Sequence, residues 1–471
     1  MKGKGRILLA TRDIKPLDLV LVDPGTVIGP NYRSRRVCLE CLKLAEGSYT
    51  CEDCDFPLCD EQCYGRERHR PECTVLKQLK GTTSEFPGYA CVTVLRLLLL
   101  SKSGSDEWQR TDKLMDHLSE KNVHPQEWLW YQTHIIDFIR NDLKLGDMFP
   151  VEQIERAIGL LNVNAVCLQF PRVKGTPNNE VGKGIYPIFA IMSHECVCNT
   201  RYVVDPNTFN MYVRARVAIK AGEELTVQYL SALWGNFKRR KKIREEWFFD
   251  CTCRRCSDRT ECQSYVSGVK CFVCLNGTLL PRNSLDYDSE WFCSRCDQEV
   301  CSSRIETLVQ GLETEFNSIL DTEEYWKYKD IIDKYSGTVL HPSHWILTTA
   351  RRNLIQYLCY SNTPDFLAFI DTRGRYKLCE EFWSVLKKID PGWSELSMFV
   401  LRELHFSKLS VLQTDYAMGV IPLEEFSVKS RNSIDTLDKI IKEKEFLIFD
   451  DKRDVFDTEE ELKIKSLSIY N

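Results

Sequence analysis

Residues 191–200 read IMSHECVCNT. His194 follows Ser193 and stands two residues before Cys196 and four before Cys198. Such a stretch has three readings: a metal knuckle, a nucleophile with its base, or a cofactor loop. The partners available elsewhere in the chain have to decide among them.

One set of partners lies downstream. Residues 245–256 read EEWFFDCTCRRC, in which Cys251, Cys253 and Cys256 supply three metal ligands. A tetrahedral zinc site needs a fourth. Either Cys196 or Cys198 could close it, and that closure would pin segment 245–256 over the loop at 191–200.

At 471 residues the chain has room for about three domains. Its hydrophobic content of 43% and charged content of 28% are those of an ordinary globular protein. The formal net charge of −5 argues against a nucleic-acid-binding polycation, so nucleic acid is not an expected partner. The densest basic run, KRRKKIR at 238–244, reads as a solvated helix face. The N-terminus MKGKGRILLA has no apolar region followed by a small-residue cleavage site. The run ACVTVLRLLLL at 90–100 is interrupted by Arg96. It is far shorter than a membrane-spanning helix and reads as a buried one. The expected setting is intracellular, in the nucleus or the cytoplasm, with no membrane partner.

In a reducing compartment, cysteines at close spacings indicate metal rather than disulfides. Of the 22 cysteines, seven fall within 38–73, six within 251–274 and three within 293–301. The first cluster, CLECLKLAEGSYTCEDCDFPLCDEQCYGRERHRPEC, offers Cys38, Cys41, Cys51, Cys54, Cys59, Cys63, His69 and Cys73. Eight ligands imply two ions, which must hold together a segment with little apolar core of its own. Cys271, Cys274, Cys293 and Cys296 have the spacing of a zinc ribbon, with Gly277 permitting the turn after the first knuckle. From about residue 302 the pattern becomes helical. SSRIETLVQGLETEFNSIL, WILTTARRNLIQYLC, YKLCEEFWSVLKKI and SELSMFVLRELHFSKLSVL repeat apolar residues at the helical period, and DPGW at 390–393 breaks the run.

The order C-x2-C, C-x2-C, C-x3-C, H-x3-C resembles the MYND zinc finger. That resemblance implies cross-braced pairing: Cys38, Cys41, Cys59 and Cys63 around one ion, Cys51, Cys54, His69 and Cys73 around the other. Tyr64 follows Cys63 and YGRERH lacks a Trp, so the proline-rich docking of many MYND fingers is not expected. Four further phrases, GLLNVNAVCL, GIYPIFAIMSHEC, VRARVAIKAGEELTVQYL and FFDCTCRRC, resemble the SET domain of the SET-and-MYND (SMYD) protein lysine methyltransferases. The N-terminal GKGRILLATRDIKPLDLVLVDPGTVIGP looks like the first strands of that domain. The implied fold is α+β: a split SET β-fold with an inserted MYND finger and helical insert, a post-SET zinc site, a zinc ribbon, and a C-terminal all-α, TPR-like domain. The implied boundaries are 1–37 for the N-terminal part of SET, 38–73 for MYND and 74–160 for the helical insert. The SET core follows at 161–235, the post-SET segment at 236–256, the ribbon at 257–301 and the helical domain at 302–471.

By the same resemblance Cys196 completes the post-SET site, and about four structural zinc ions are implied. S-adenosyl-L-methionine would be held by Lys4, Asn164, Ser193, His194 and Phe249, and Tyr229 would be the catalytic channel tyrosine. Three positions depart from the family pattern. Ser193 stands for Asn and Glu195 for Ser in NHSC, and Trp247 stands for the post-SET tyrosine. An indole donates but cannot accept from an amine. The departures resemble the divergent arthropod-type (SmydA-like) branch. The implied function is a protein-lysine methyltransferase of reduced activity acting on a histone or non-histone lysine. The alternative is a catalytically weak or inactive SET/MYND scaffold, a protein-interaction or transcriptional regulator that engages corepressors or other proteins through MYND and the helical domain. Elemental analysis of the purified protein should find about four zinc ions per chain; two or fewer would remove the ribbon and post-SET assignments together.

Overall fold

The computed structural model of the chain describes residues 5–32, 34, 36–45, 47, 49–81, 89–169, 180–322, 324, 326–360 and 370–444. Lys4 and the charge-dense segment from residue 450 lie outside the described residues. Among the described residues eight strands organise the N-terminal half: β1 (Leu19–Asp23), β2 (Val27–Pro30), β3 (Ala165–Gln169), β4 (Glu180–Ile185), β5 (Ser193–His194), β6 (Thr200–Val204), β7 (Met211–Ala215) and β8 (Thr226–Val227). Two antiparallel sheets have the orders β1-β7-β6 and β2-β4-β3, and β5 pairs with β8 in parallel. Each of the first two strands therefore joins a sheet completed by residues far downstream. Strand β7 buries Met211, Val213 and Ala215 and leaves Tyr212 and Arg214 half-buried. This is the period of two expected of a sheet with one covered face.

The cysteine-rich segment between β2 and β3 packs on these sheets rather than standing apart. Leu39, Leu42 and Leu58 are buried in the same core as β2 and β7. The apolar run at 90–100 forms the helix Ala90–Ser101, buried from Cys91 through Leu98 with Arg96 included. Thr93 Oγ1 donates to the Pro30 carbonyl at 2.9 Å. A Cβ at position 29 would lie 2.3 Å from Thr93 Oγ1, so this close approach requires glycine there. Arg96 donates to the carbonyls of Ile28 and Leu39 and pairs with the buried Glu72. One guanidinium thus ties a helix, a strand and the cysteine-rich segment together.

The helix expected over WLWYQTHIIDFIRNDL is regular only at Pro125–Tyr131. It continues as π-helical turns, Gln132–Ile136 and Phe138–Asp142, and these carry Ile135, Ile136 and Ile139 into the core. Such widened turns re-aim side chains that a regular helix would leave elsewhere. In the C-terminal half, a four-stranded antiparallel ribbon (Val269–Lys270, Thr278–Pro281, Trp291–Cys293, Glu299–Val300) shares a second core with the helices that follow. Those include Ser302–Thr322, Trp345–Tyr360, Thr372–Ile389 and Glu395–Ala417, at the positions the periodicity marks. Lys327–Tyr335 and Leu423–Lys444 are additional helices. In Lys327–Tyr335 only Tyr328, Ile331 and Ile332 are buried, too sparse a stripe to announce itself. Among the described residues no helix is long and apolar enough to cross a membrane.

Removing one partner of a buried ion pair leaves an uncompensated charge, at a cost of about 3–5 kcal/mol. Arg96→Met should therefore lower the thermal midpoint sharply. A variant that melts like the native chain would show that Glu72 is not held by Arg96.

Candidate active site

The loop at 191–200 is set from both ends. Upstream, Asp23 is buried and accepts the N–H groups of Ile188 and Phe189 at 2.8 and 2.7 Å, capping the 3-10 turn Phe189–Ile191. Burial raises the Asp23 carboxyl above its ordinary range, because desolvation disfavours the charged form. Downstream, β5 runs beside β8 with Ser193 opposite Thr226 and His194 opposite Val227. This parallel pairing brings Ser193 and His194 against the strand that leads into Tyr229.

Tyr229 and His194 are then locked to one another. The Tyr229 hydroxyl donates to the Met192 carbonyl at 2.9 Å, and its backbone N–H donates to His194 Nδ1 at 3.0 Å. Since Nδ1 accepts, the neutral imidazole carries its proton on Nε2, which faces Cys196 Sγ at 3.4 Å. Both ring nitrogens are engaged within the protein. Burial pushes the Tyr229 phenol up to about 12, so it remains a donor at neutral pH. Trp247 closes one side with its ring 5.1 Å from that of Tyr229, and Phe249, more than a third exposed, lies 6.4 Å from the His194 ring. Asn164 ends the helix Val151–Asn164, where its Nδ2 donates to the carbonyls of Met115 and Leu160 at 2.8 and 2.9 Å. Its Oδ1 has no protein donor among the described residues.

Among the described residues, four groups of ligand atoms converge. They are Cys38, Cys41, Cys59 and Cys63; Cys51, Cys54, His69 and Cys73; Cys196, Cys251, Cys253 and Cys256; and Cys271, Cys274, Cys293 and Cys296. A tetrahedral site with ~2.3 Å Zn–S bonds has S···S edges of about 3.8 Å. Cys41–Cys59, Cys51–Cys73, Cys196–Cys256 and Cys271–Cys296 stand at 3.5, 3.6, 3.5 and 3.8 Å. Bonded disulfide sulfurs would lie far closer together, and every cysteine here is free. The donor sets are therefore compatible with zinc. Of the two cysteines offered by IMSHECVCNT, Cys196 joins the third group. Cys198 instead donates to the Thr200 carbonyl and accepts from Arg216, each at 3.3 Å.

The groups that support these clusters were not legible as such. His69 turns Nε2 to Cys54 at 3.3 Å and Nδ1 to Glu72 at 2.9 Å. This is the carboxylate–histidine arrangement that orients a metal ligand. Around Cys196 the basic run reads differently from the solvated face expected of it. Arg239 and Arg240 are buried, and Arg239 donates to Cys196 Sγ at 3.2 Å and Cys256 Sγ at 3.6 Å. Glu261 pairs with Arg239 at 2.8 Å and with Arg255 at 3.0 Å. The cause is charge: clustered thiolates and a buried carboxylate draw guanidinium groups inward. The thiols of Cys251, Cys253 and Cys256, with Arg239, hold Cys196 well below the ordinary thiol range. The signal that could have exposed this is CRRC after KRRKKIR, one arginine pair upstream of the three ligands and a second between Cys253 and Cys256.

Comparison with known proteins bears on this geometry. The SET domain model matches residues 5–230. The SET domain-containing protein SmydA-8, isoform A, of Drosophila melanogaster is 24% identical over 416 residues, covering 85% of this chain and 86% of its own length. The histone-lysine N-methyltransferase SMYD1 of Homo sapiens is 24% identical over 288 residues, 57% of either chain. The histone-lysine N-methyltransferase SMYD3 of Mus musculus is 27% identical over 277 residues, 56% of this chain and 62% of its own. With split sheets, four cysteine-rich clusters and a C-terminal helical region around a SET match, the chain carries a SET domain and is similar over most of its length to a SET-and-MYND protein of the SmydA kind.

Proposed function

We propose that the chain transfers a methyl group from S-adenosylmethionine to a lysine amine of a protein substrate. The observation that carries this reading is the half-buried Tyr229 hydroxyl, fixed on the Met192 carbonyl beside the Ser193–His194 strand. When bound, the cofactor supplies a methyl group on a positively charged sulfur. Asn164 Oδ1, without a protein donor among the described residues, and the exposed ring of Phe249 are suited to hold its polar and aromatic parts, with Ser193 and the backbone at His194 as further candidates. Lys4 remains a candidate from the sequence alone.

The chain's own part in the reaction is alignment and exclusion of water. A lysine amine attacks only when uncharged. The Tyr229 oxygen, whose proton is given to Met192, keeps lone pairs that can orient an amine N–H. The four clusters serve as structural zinc sites, since each offers four protein ligands and leaves no open position for chemistry. Relatives named as histone-lysine N-methyltransferases support a protein lysine as substrate class.

A second reading is favoured by Trp247. Its ring packs 5.1 Å from Tyr229, where a donor-only indole narrows the approach to the hydroxyl. The chain would then be a slow enzyme or a scaffold that binds partner proteins. Calorimetry with S-adenosylmethionine and transfer from labelled cofactor to protein extracts separate these readings. We expect binding with slow transfer. Trp247→Tyr should raise turnover, because only interactions stronger in the transition state increase the rate, and Tyr229→Phe should lower it by about tenfold or more. Absence of both binding and transfer, in the native chain and in Trp247→Tyr alike, would favour the scaffold.

The pH profile is a further check. A lysine amine gains reactivity as pH rises toward its ordinary pKa of ~10.4. Tyr229 stays protonated up to about 12. Transfer should therefore climb through pH 7–9, and a fall over that range would exclude the phenol as the group that orients the amine.

A further inference from the structure

The C-terminal helices touch the SET region through a buried ion pair that the proposed chemistry does not use. Arg216, just past β7, is 1% exposed, and its Nη2 lies 2.5 Å from Asp390 Oδ1. Asp390 belongs to DPGW, the break between Thr372–Ile389 and Glu395–Ala417. Its other oxygen accepts from Ser394 Oγ at 2.7 Å, and Ser394 caps the second helix. Arg216 Nε donates to the Trp393 carbonyl at 3.2 Å, and the Arg216 carbonyl accepts from Trp393 N at 3.3 Å. Gly392 has φ +79°, and a Cβ there would lie 2.3 Å from the Arg216 carbonyl oxygen. Glycine is required for this approach.

On its other side Arg216 holds the end of the loop at 191–200. Its Nη1 donates to Cys198 Sγ at 3.3 Å and its backbone N–H to the Asn199 carbonyl at 2.8 Å. The Asn199 side chain accepts from Thr226 N at 2.9 Å and donates to the Glu224 carbonyl at 2.8 Å. Thr226 is the β8 residue opposite Ser193. A continuous path of buried and half-buried polar contacts therefore runs from the inter-helix break to the β5–β8 pair.

We propose that Asp390 is a positioning residue for residues 193–199: through Arg216 it holds Cys198 and Asn199, so that the helical region sets the affinity of the loop for cofactor. The proposal rests on the reading of that loop as part of the cofactor site. Its chemistry is specific, because a guanidinium with three protein partners, one of them a thiol, has few arrangements that satisfy all of them. Loss of the carboxylate would free Arg216 to shift and release the loop end.

The test uses the full chain with S-adenosylhomocysteine as the probe in calorimetry. Asp390→Asn keeps an acceptor for Ser394 but removes the charge, and should raise Kd about three- to tenfold with zinc content unchanged. Cys198→Ala, which spares the ion pair, should move Kd in the same direction. Glu381→Gln is the control: it breaks the 2.8 Å Arg351–Glu381 pair within the helical region and should leave Kd unchanged. Native Kd in both Asp390→Asn and Cys198→Ala would overturn the proposal. So would an equal rise in Glu381→Gln, which would mark a general loss of stability. If Asp390→Asn fails to fold, Cys198→Ala decides. If the native chain does not bind the probe, the cofactor reading falls, and amide exchange decides the latch separately. Faster exchange at 193–200 alone in Asp390→Asn would support it, and native rates there would overturn it.

Discussion

The rest of the N-terminal half depends on one convergence, the Cys196 thiol meeting Cys251, Cys253 and Cys256 from more than fifty residues downstream. It fixes the loop that carries Ser193 and His194, and it anchors the segment that delivers Trp247 and Phe249. Four sulfurs at this range repel one another unless cations intervene. Arg239 donates to two of them, and a metal at their centre would supply the remaining charge. The imidazole of His194 then spans from this cluster to the backbone of Tyr229. The cysteine cluster and the candidate site are therefore one construction.

Buried arginines recur at three junctions between distant parts of the chain. Arg96 joins a helix and a strand to the cysteine-rich segment through Glu72. Arg239 and Arg255 share Glu261 beneath the third cluster. Arg216 joins the SET region to the inter-helix break through Asp390. Desolvating such pairs costs several kcal/mol per ion, so they add little net stability over apolar packing. What they add is direction. Each guanidinium satisfies several acceptors in a fixed fork, and a shifted junction would leave charges unpaired.

The four cysteine-rich groups were legible as clusters because short fixed spacings make local knuckles, and local geometry survives translation into sequence. The C-terminal helices were legible where the apolar stripe was dense, as in Trp345–Tyr360, and not where it thinned, as in Lys327–Tyr335. The basic run at 238–244 misled. Charge in a sequence implies water unless a buried counter-charge is known, and Glu261 and the thiols are distant in the chain until it folds.

The sequence by itself determined the cysteine-rich modules, the split order of the SET strands and the residues that depart from the family pattern at Ser193, Glu195 and Trp247. The tertiary structure alone decided what those residues face. It chose Cys196 over Cys198, turned both nitrogens of His194 inward, set Trp247 against Tyr229 and made Asp390 a partner of Arg216. These are long-range pairings, and no local pattern encodes them. They follow from which groups, once desolvated together, can satisfy each other's charge and hydrogen bonds.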